Sequence, residues 1–556
     1  MDIRNHGIAS RNLSTERLYN GIKLPDVWPP RNVDPMTDDV IKVPYLLSEE
    51  EGGYSPKVID VSVGRQLFVD DFLVEETDLK VVYHKAKKCE KNPLLVPETC
   101  EELLKDFGVG LSAGAVWYDM QDEKYKMWYD IAFNWGLGYA ESTDGINWTR
   151  VKCTVKGDNV ILDNVTKDGT CAVFIDYDAD KSEKYKMFMQ SFFNHQKLID
   201  GEHFVPVNSN DDNNYAHTLF VSHNGIDWRQ VGGFSDGVCG DASSAFYNAF
   251  TKKWVNSIRT YCNTWYDGKE RKGRVRYYSE CDNFEDLLHW TRDGAVFWLK
   301  CDKNDRPDPD IGFAPQMYNM NAIAYESIMY GGWQIWKGPE NNITSKTKEP
   351  KITEIIASYS RDGFYYDRPE REPIIAASRV DGAWDKGYLF AAPASLVVLD
   401  DELRIYYSGF SGYKGTVKNE HGCQQIGMAI LRRDGFASME GVGTLLTRRL
   451  TVDNKKYLFV NIDAPEHCFK AEILDAEGNT VKGYSFEDCV AIGGDSTCKQ
   501  ITWKGGNDLS FLNGNEFKIR FYMEREGKLY SFWLSDSLNG RSGGALGAGY
   551  AGKNLK

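Results

Sequence analysis

The 556-residue chain has no run of about 20 apolar residues, the length that a membrane-spanning helix needs. Residues 1–6 (MDIRNH) also lack the apolar core of a secretory signal, so we expect a cytoplasmic protein. The 12 cysteines are scattered singly without a Cys-x-x-Cys pair, which excludes a zinc cluster and a small disulfide framework. No Gly-x-x-x-x-Gly-Lys-Ser/Thr loop occurs, which argues against a phosphate-loop nucleotide enzyme.

The chain has fewer basic than acidic residues: 66 Lys and Arg against 81 Asp and Glu, which gives a net charge of −15. An acidic chain repels both phosphate backbones and anionic head groups, so we expect neither nucleic acid nor a membrane as partner. A small neutral ligand fits this charge better. The sequence predicts no cofactor and no metal site, and it leaves a homo-oligomer open.

The chain is rich in one repeated turn, in which serine, an acidic residue or asparagine, and glycine precede an aromatic residue. The clear copies are Ser142–Trp148, Ser222–Trp228 and Ser360–Tyr366, and the weaker ones are Ser279–Trp290 and Arg432–Phe436. Recurrence at roughly 60–80 residues is typical of propeller blades with long loops. These Asp-Gly segments predict turns, since they lack the alternating oxygen ligands of a calcium loop.

Each repeat opens with two short runs of aromatic and β-branched residues, which predict hairpins. The paired runs are residues 114–119 and 125–129, 173–176 and 185–188, 245–247 and 254–255, 321–325 and 333–336, and 395–398 and 403–407. The sequence therefore predicts an all-β fold, with a five-bladed β-propeller over residues 61–436 and a β-sandwich over 437–538. A proline-rich extended arm over 1–60 and a loosely held glycine-rich tail over 539–556 complete the predicted organisation.

These features resemble the five-bladed propeller glycosidases, which comprise glycoside hydrolase families 32, 43, 68 and 117, with the phosphorylase-rich family 130 alongside. The resemblance spans roughly residues 62–535 and rests on the five units, the repeated turns, the Lys91–Leu95 entry into the first unit and the trailing sandwich. The segment Gln66–Asp71 is most similar to uncharacterised family-32-like proteins. The resemblance implies a carbohydrate substrate bound in the funnel at the propeller axis.

Cleavage of a glycosidic bond generally uses two carboxyl groups on opposite sides of the sugar. By the resemblance, Gly240–Phe246 enters the third unit as the Arg-Asp-Pro segment of families 32 and 43 does. Asp241 then corresponds to their transition-state-stabilising carboxylate, or to the proton donor of family 130. The first unit begins at Leu111 without an acid, and the fourth begins at Tyr318 where the families have a glutamate. Glu326, flanked by aromatic residues, is the substitute acid, with a water-facing hairpin carboxylate as its alternative.

Asp70 and Asp71 interrupt an apolar run and would point to opposite faces of a strand, so at most one of them can serve the site. Stabilising a turn or pairing with an arginine is the alternative role for each. Seven further residues are candidates for substrate binding: Asp168, Arg259, Tyr318, Asn319, Trp333, Trp336 and Asp385. The two tryptophans would stack on a sugar or pack in the core, Arg259 and Asp385 would bind hydroxyl groups, and Asp168 would lie at the rim or stabilise a loop.

We therefore expect an exo-acting glycoside hydrolase of small oligosaccharides, with furanosides such as fructosides and arabinosides among the candidate substrates. Glu326 would be the acid and Asp241 the stabiliser or base, with Asp70 or Asp71 completing a retaining mechanism; retention and inversion both stay open. A glycoside phosphorylase is one alternative, since it needs no enzyme nucleophile and would gather basic residues around Arg259. A non-catalytic carbohydrate-binding propeller is the other.

Overall fold

The computed structural model describes residues 16–104, 107–133, 135–153, 159–163, 170–192 and 215–553. Nearly all regular structure in these ranges is β-strand, which confirms the predicted all-β class. The α-helix described there is α1 (Asn341–Thr347), and none of the described helices is long and apolar enough to cross a bilayer. Short 3-10 helices occur at Pro44–Leu46, Asp71–Leu73, Lys181–Glu183, Glu285–Leu288 and Ser510–Leu512.

The N-terminal segment crosses the surface and then supplies strands to two different sheets. Trp28 and Tyr45 anchor this segment because both are buried, and the Asn20 side-chain amide donates to the carbonyl oxygen of Arg361 at 2.8 Å. The strands that follow are β1 (Ile59–Asp60), β2 (Gln66–Leu67), β3 (Val74–Thr77), β4 (Lys80–Tyr83) and β5 (Lys87–Lys88).

The first two repeated units join into one ten-stranded sheet. Their strands are β6 (Val109–Asp119), β7 (Lys124–Ile131), β8 (Gly136–Ser142), β9 (Thr149–Arg150), β10 (Val160–Asp163), β11 (Cys171–Ile175), β12 (Tyr185–Phe192), β13 (Tyr215–Ser222), β14 (Arg229–Val231) and β15 (Val238–Cys239). A parallel pairing of Gly114 with Ala172 links β6 to β11. Gly114 has a φ of +122°, and a Cβ there would lie 2.0 Å from the carbonyl oxygen of Trp128, so the position requires glycine.

The next three units each build an antiparallel four-stranded sheet. Their strands are β16 (Ser244–Asn248), β17 (Lys253–Tyr266), β18 (Lys269–Cys281), β19 (Val296–Leu299), β20 (Gln316–Glu326), β21 (Ile328–Gly338), β22 (Ile352–Ser360), β23 (Gly387–Val398), β24 (Glu402–Phe410), β25 (Tyr413–Lys414), β26 (Val417–Lys418) and β27 (Gln424–Arg432). The N-terminal strand β5 completes the last of these sheets by pairing with β27. Strands from the two ends of the repeated region therefore meet in one sheet.

The C-terminal region forms a nine-stranded sheet that also contains β1, β2, β3 and β4. Its own strands are β28 (Ala437–Thr447), β29 (Leu450–Thr451), β30 (Tyr457–Asp475), β31 (Ile492–Gln500) and β32 (Phe517–Ser535). Residues 66–83, which the sequence analysis assigns to the propeller, thus pair with the C-terminal strands.

The glycine-rich tail is tightly held, so the prediction of a loosely held tail is wrong for its described part. Its strand β33 (Ala545–Leu546) pairs with the end of β20, and the amide of Tyr118 donates to the carbonyl oxygen of Ala548 at 2.8 Å. The glycines permit this close approach, because a Cβ on Gly549 would lie 2.0 Å from the carbonyl oxygen of Tyr118. The tail is thus held by backbone hydrogen bonds rather than by packing of its side chains.

The repeated Ser-x-Asp/Asn-Gly segments are turns closed by their own side chains. The hydroxyl of Ser142 accepts from the amide of Gly145 at 2.9 Å, and the Asp144 carboxylate accepts from the amides of residues 146 and 147 at 2.8 Å. The same bonds recur around Ser222 and Ser360. These contacts confirm the predicted structural role of the repeat.

A buried ion pair joins the segment after β2 to the fourth repeated unit. Arg361 donates from Nε to Oδ2 of Asp70 at 2.9 Å and from a terminal nitrogen to Oδ1 at 2.8 Å. Both side chains are almost fully buried, whereas the neighbouring Asp71 is exposed. Two parallel donor bonds of this kind satisfy both carboxylate oxygens and fix the geometry of the joint.

Asp70→Asn is expected to destabilise the fold by about 3–5 kcal/mol, because it leaves the Arg361 guanidinium buried without its counter-charge. The free energy of unfolding in urea measures this loss. Asp71→Asn is the matched control and is expected to stay within about 0.5 kcal/mol of the parent chain. Equal effects of the two substitutions would show that the ion pair does not stabilise the fold.

Candidate active site

The first strands of the five repeated units, or the residues just before them, converge on an open cavity of about 180 Å³. This central cavity is lined by Ser112, Phe133, Thr170, Tyr215, Asp241, Ala242, Tyr318, Lys351, Tyr388, Phe390 and His421. Residues far apart in the sequence therefore face one space. Each of the five repeated units contributes at least one of them.

Asp241 is the carboxylate that lines the central cavity within the described part of the chain. Its Oδ1 lies 2.6 Å from a terminal nitrogen of Arg259, and its Oδ2 accepts from the Tyr318 hydroxyl at 3.1 Å. The side chain keeps 38% of its surface exposed, so a ligand can reach it. A side chain at the preceding Gly240 would clash with Arg259, since a Cβ there would lie 2.0 Å from the guanidinium.

Three cations surround this single carboxylate. Burial opposes ionisation of Asp241, but the positive charges of Arg259, Arg274 and Lys351 outweigh it and hold the pKa of Asp241 below its usual value. Arg274 lies over the Trp336 ring at 4.1 Å from its centroid. Asp241 thus lies among more positive than negative charge, in contrast to the chain as a whole.

Aromatic rings form the rest of the cavity wall. His421 stacks on Phe133 with ring centroids 5.1 Å apart, and the Tyr388 hydroxyl lies 3.0 Å from that of Tyr318. Burial and the charge of Lys351 lower the pKa of His421 to about 4, so its imidazole is neutral near pH 7. The wall can stack on the apolar face of a sugar ring and offers hydroxyl groups for its polar edge.

A buried arginine supports the floor of the central cavity. Arg276 donates to the carbonyl oxygens of Ala242 and Tyr318 at 2.7 and 2.6 Å, and to Oδ1 of Asn319 at 2.8 Å. Asn319 therefore lies behind the cavity, where it fixes backbone rather than facing a ligand. Burial lowers the pKa of Arg276 to about 9.

The predicted substrate-binding residues fall into two groups. Arg259 and Tyr318 contact Asp241, and Trp336 packs against Tyr318 with ring centroids 6.2 Å apart. Trp333 lies instead in another hydrophobic cluster, with the guanidinium of Arg368 at 3.9 Å from its ring centroid. The core-packing alternative therefore holds for Trp333.

Asp385 and Asp168 complete the predicted set. Asp385 is buried and accepts from Lys88 Nζ at 2.6 Å and from the Tyr407 hydroxyl at 3.0 Å, so it ties β5 to the last unit instead of binding sugar hydroxyls. Asp168 lies outside the described residues.

Glu326 is placed away from Asp241, which corrects the expectation that the two carboxyl groups share a cavity. It lies eight residues beyond Tyr318 on β20, roughly 26 Å along an extended strand. The side chain has no exposed surface; its carboxylate accepts from Arg433 at 3.0 Å and from the Ser542 hydroxyl at 2.7 Å. Its aromatic neighbours in sequence predicted burial correctly but gave no sign of these partners.

Asp70 and Asp71 also lie outside the central cavity. The Asp70 carboxylate forms an ion pair with Arg361, as the alternative role for this residue predicts. Asp71 begins a 3-10 helix at the surface. Neither is among the residues that line the cavity. A fully buried carboxylate that is paired with a guanidinium is not accessible to a substrate.

Sequence reasoning missed several residues of the cavity wall. Tyr388 and Phe390 were overlooked because β23 begins at Gly387, eight residues before the predicted hairpin run. The short apolar run Tyr388–Phe390 was the available signal for a buried strand. Lys351 and Arg274 had no motif to mark them, since Arg274 acts on Asp241 only through the strand pairing of the third unit and Lys351 only through the packing of the fourth unit.

Ser112 lies in Gly-Leu-Ser-Ala-Gly, the letter pattern of a serine nucleophile, yet it does not form such a site. It lies inside β6 rather than at a strand-to-helix turn, and its hydroxyl donates to Oδ2 of Asp130 at 2.6 Å. In the described ranges no three side chains of His, Cys, Asp or Glu come together as a metal site.

No protein-family model and no curated protein matches the chain. Among solved structures, a thermostable family-43 glycoside hydrolase is 12% identical over 61% of this chain and 94% of its own, with a TM-score of 0.37. A structure from family 130, whose mannoside phosphorylases include hydrolases of β-1,2-mannosidic linkages in Candida mannan, is 14% identical over 65% and 96%, with a TM-score of 0.36. A fructofuranosidase from Schwanniomyces occidentalis is 9% identical over 82% and 100%, with a TM-score of 0.33. These similarities are too low to assign a role to any residue of this chain.

Lys351→Met is expected to raise the pKa of His421 above its value of about 4, because it removes a positive charge that disfavours the imidazolium. An NMR titration of the imidazole protons measures the change. Lys346→Met, on the exposed face of α1, is the matched control and leaves the titration unchanged. An unaltered His421 pKa in the Lys351 variant would contradict the described electrostatics.

Proposed function

We propose that the chain cleaves glycosidic bonds in the central cavity, with phosphate rather than water as the acceptor. The repeated units are then the five blades of a propeller, and the nine-stranded sheet belongs to the accessory β-domain. The observation that carries the proposal is Asp241, an accessible carboxylate held by Arg259 and Tyr318 in an aromatic-walled cavity. Aromatic walls with a few convergent polar groups suit a carbohydrate.

Phosphate is favoured as acceptor by the charge of the central cavity. A hydrolase of the usual kind needs a second carboxyl group to activate water or attack the anomeric carbon. Among the described cavity-lining residues Asp241 has no such companion, whereas Arg259, Arg274 and Lys351 act together on it. The guanidinium group of arginine and the ammonium group of lysine are the side-chain groups that commonly bind phosphate.

Phosphate binding would also prepare Asp241 as a general acid. The three cations keep the pKa of Asp241 low, and a bound phosphate offsets their charge, so the pKa rises and the carboxyl group can hold a proton. A phosphate oxygen then bonds to the anomeric carbon while the bond from that carbon to the leaving oxygen breaks. Asp241 gives its proton to the leaving oxygen, and the products are a glycosyl phosphate and the released sugar.

Asp241→Asn is expected to lower kcat/KM by about 10²–10⁴-fold, because an amide can neither give nor take the proton. The assay uses a panel of aryl glycosides and short oligosaccharides. Asp71→Asn, which changes a carboxylate outside the cavity, is expected to retain the parent rate. Full activity of the Asp241 variant on every cleaved substrate would rule out its role.

Turnover is expected to require inorganic phosphate and to yield a glycosyl phosphate, detected by ³¹P NMR. Lys351→Met should raise the phosphate concentration needed for half-maximal rate about tenfold, since one charge-assisted contact is worth roughly 1.5 kcal/mol. Sugar release at the same rate without phosphate would contradict phosphorolysis and would indicate that the same cavity catalyses hydrolysis.

A further inference from the structure

The third repeated unit carries a long two-stranded ribbon that begins at the central cavity. Strand β16 pairs only with the residues of β17 up to Ser257, and β19 pairs only with residues 276–278 of β18. Strands β17 and β18 continue to pair with each other as far as Tyr266 and Lys269. The ribbon of residues 258–275 therefore extends past its own sheet.

One face of this ribbon continues the wall that holds Asp241. The directly opposed pairs on that face are Arg259 and Arg276, Tyr261 and Arg274, Asn263 and Lys272, and Trp265 and Glu270. Alternate residues of a strand point to the same side, so these pairs form one stripe. From Arg259 to Trp265 the stripe runs roughly 20 Å along the strand.

The outer part of the stripe is at least partly exposed and carries two cations, Lys272 and Arg274, against one acid. Asn263, Trp265, Glu270 and Lys272 are exposed, whereas the intervening residues Thr264 and Tyr266 are buried. Lys272 Nζ lies 5.3 Å and the Arg274 guanidinium 5.0 Å from the Tyr261 ring centroid. Glu270, at the tip, is its acidic member. Five cations fall between Lys269 and Arg276, and of these Lys272 and Arg274 belong to the outer part of this stripe.

The opposite face of the ribbon is fixed in place. Arg271 donates to the carbonyl oxygens of Ala314 and Pro315 at 3.0 and 2.6 Å. At the tip, the amides of Trp265 and Gly268 donate to Pro35 and Asp38 of the N-terminal segment, both at 3.1 Å. A braced ribbon presents its basic face without an ordering cost, which favours binding.

We propose that the exposed face of the ribbon binds the acidic groups of an oligosaccharide whose scissile end occupies the central cavity. The substrate class is thus a uronate-containing or sulfated glycan. The inference rests on the proposed function. Tyr261 and Trp265 would stack on sugar rings, and Lys272 and Arg274 would pair with carboxylate or sulfate groups. A stripe of this length exceeds what one inorganic phosphate can occupy.

The test measures binding rather than turnover. Full-length protein is titrated calorimetrically with tetrasaccharides of α-1,4-galacturonate, alginate, chondroitin sulfate and heparin, and with neutral α-1,4-glucan and β-1,4-mannan tetrasaccharides. At least one acidic class is expected to bind more tightly than both neutral ones, and the carboxylated and sulfated probes distinguish the two sources of charge. Affinity should fall as salt is raised, because the contacts are exposed.

Lys272→Ala is expected to weaken binding of the acidic tetrasaccharide about tenfold, the value of one contact to a charged group. Lys269→Ala is the matched control, since it removes a lysine of the same strand that pairs with Tyr266 and faces the other side. Equal losses in both variants, or no preference for acidic tetrasaccharides, would overturn the proposal. The proposal would also be overturned if inorganic phosphate competed with the tetrasaccharide and if Lys272→Ala weakened the binding of phosphate itself.

Failure of this inference and failure of the proposed function give different results. Cleavage of neutral glycosides without any binding of acidic ones defeats the ribbon proposal alone. Tight binding of an acidic tetrasaccharide by wild type and Asp241→Asn, with no cleavage by wild type, defeats the enzymatic function instead.

Discussion

The pairing of the first repeated unit with the last is the constraint on which the central cavity depends. Strand β5 pairs with β27, the amide of Gln424 donates to the carbonyl oxygen of Phe107 at 2.7 Å, and that of Leu111 donates to the Ser408 hydroxyl at 2.9 Å. These bonds hold β6 beside the last unit, so that Ser112 and Tyr388 face the same space. Without them the units would share no common centre.

The distribution of charge follows from how each carboxylate is satisfied. Glu326 and Asp70 are buried, and each is neutralised by an arginine from a different part of the chain, Arg433 and Arg361. Such pairs join sheets, because separating them would leave a charge in an apolar interior. Asp241 differs in that it retains exposed surface and has cations in excess. The acidity of the whole protein therefore gives no guide to the chemistry of its cavity.

Features governed by neighbouring residues could be predicted from the sequence. The turn at Ser142 and Asp144 is closed by hydrogen bonds within one short segment, so the sequence of that segment is enough to predict it. The all-β class followed in the same way from local alternation of residue types. The resemblance pointed to Asp241, which lies in the wall of the cavity, but nothing in the sequence pointed to Arg274 and Lys351.

What could not be predicted depended on partners distant in the chain. The local pattern around Glu326 is that of a desolvated acid, and only the fold reveals that Arg433 and Ser542 occupy its oxygens. Trp333 and Trp336 lie three residues apart on β21 and so point to opposite faces, but only the fold shows which of the two faces meets the cavity. The tail was misjudged because its glycines contribute close backbone contacts instead of side chains.

The position of β33 has a consequence for the order in which the protein is made. Strand β20 pairs with β33, and Tyr118 of β6 donates a hydrogen bond to Ala548. Residues 545–548 are synthesised after every repeated unit. A nascent chain therefore carries unpaired backbone at both places until residues 545–548 have been synthesised. Because exposed strand edges recruit other strands, this interval is when the polypeptide is most prone to associate with copies of itself.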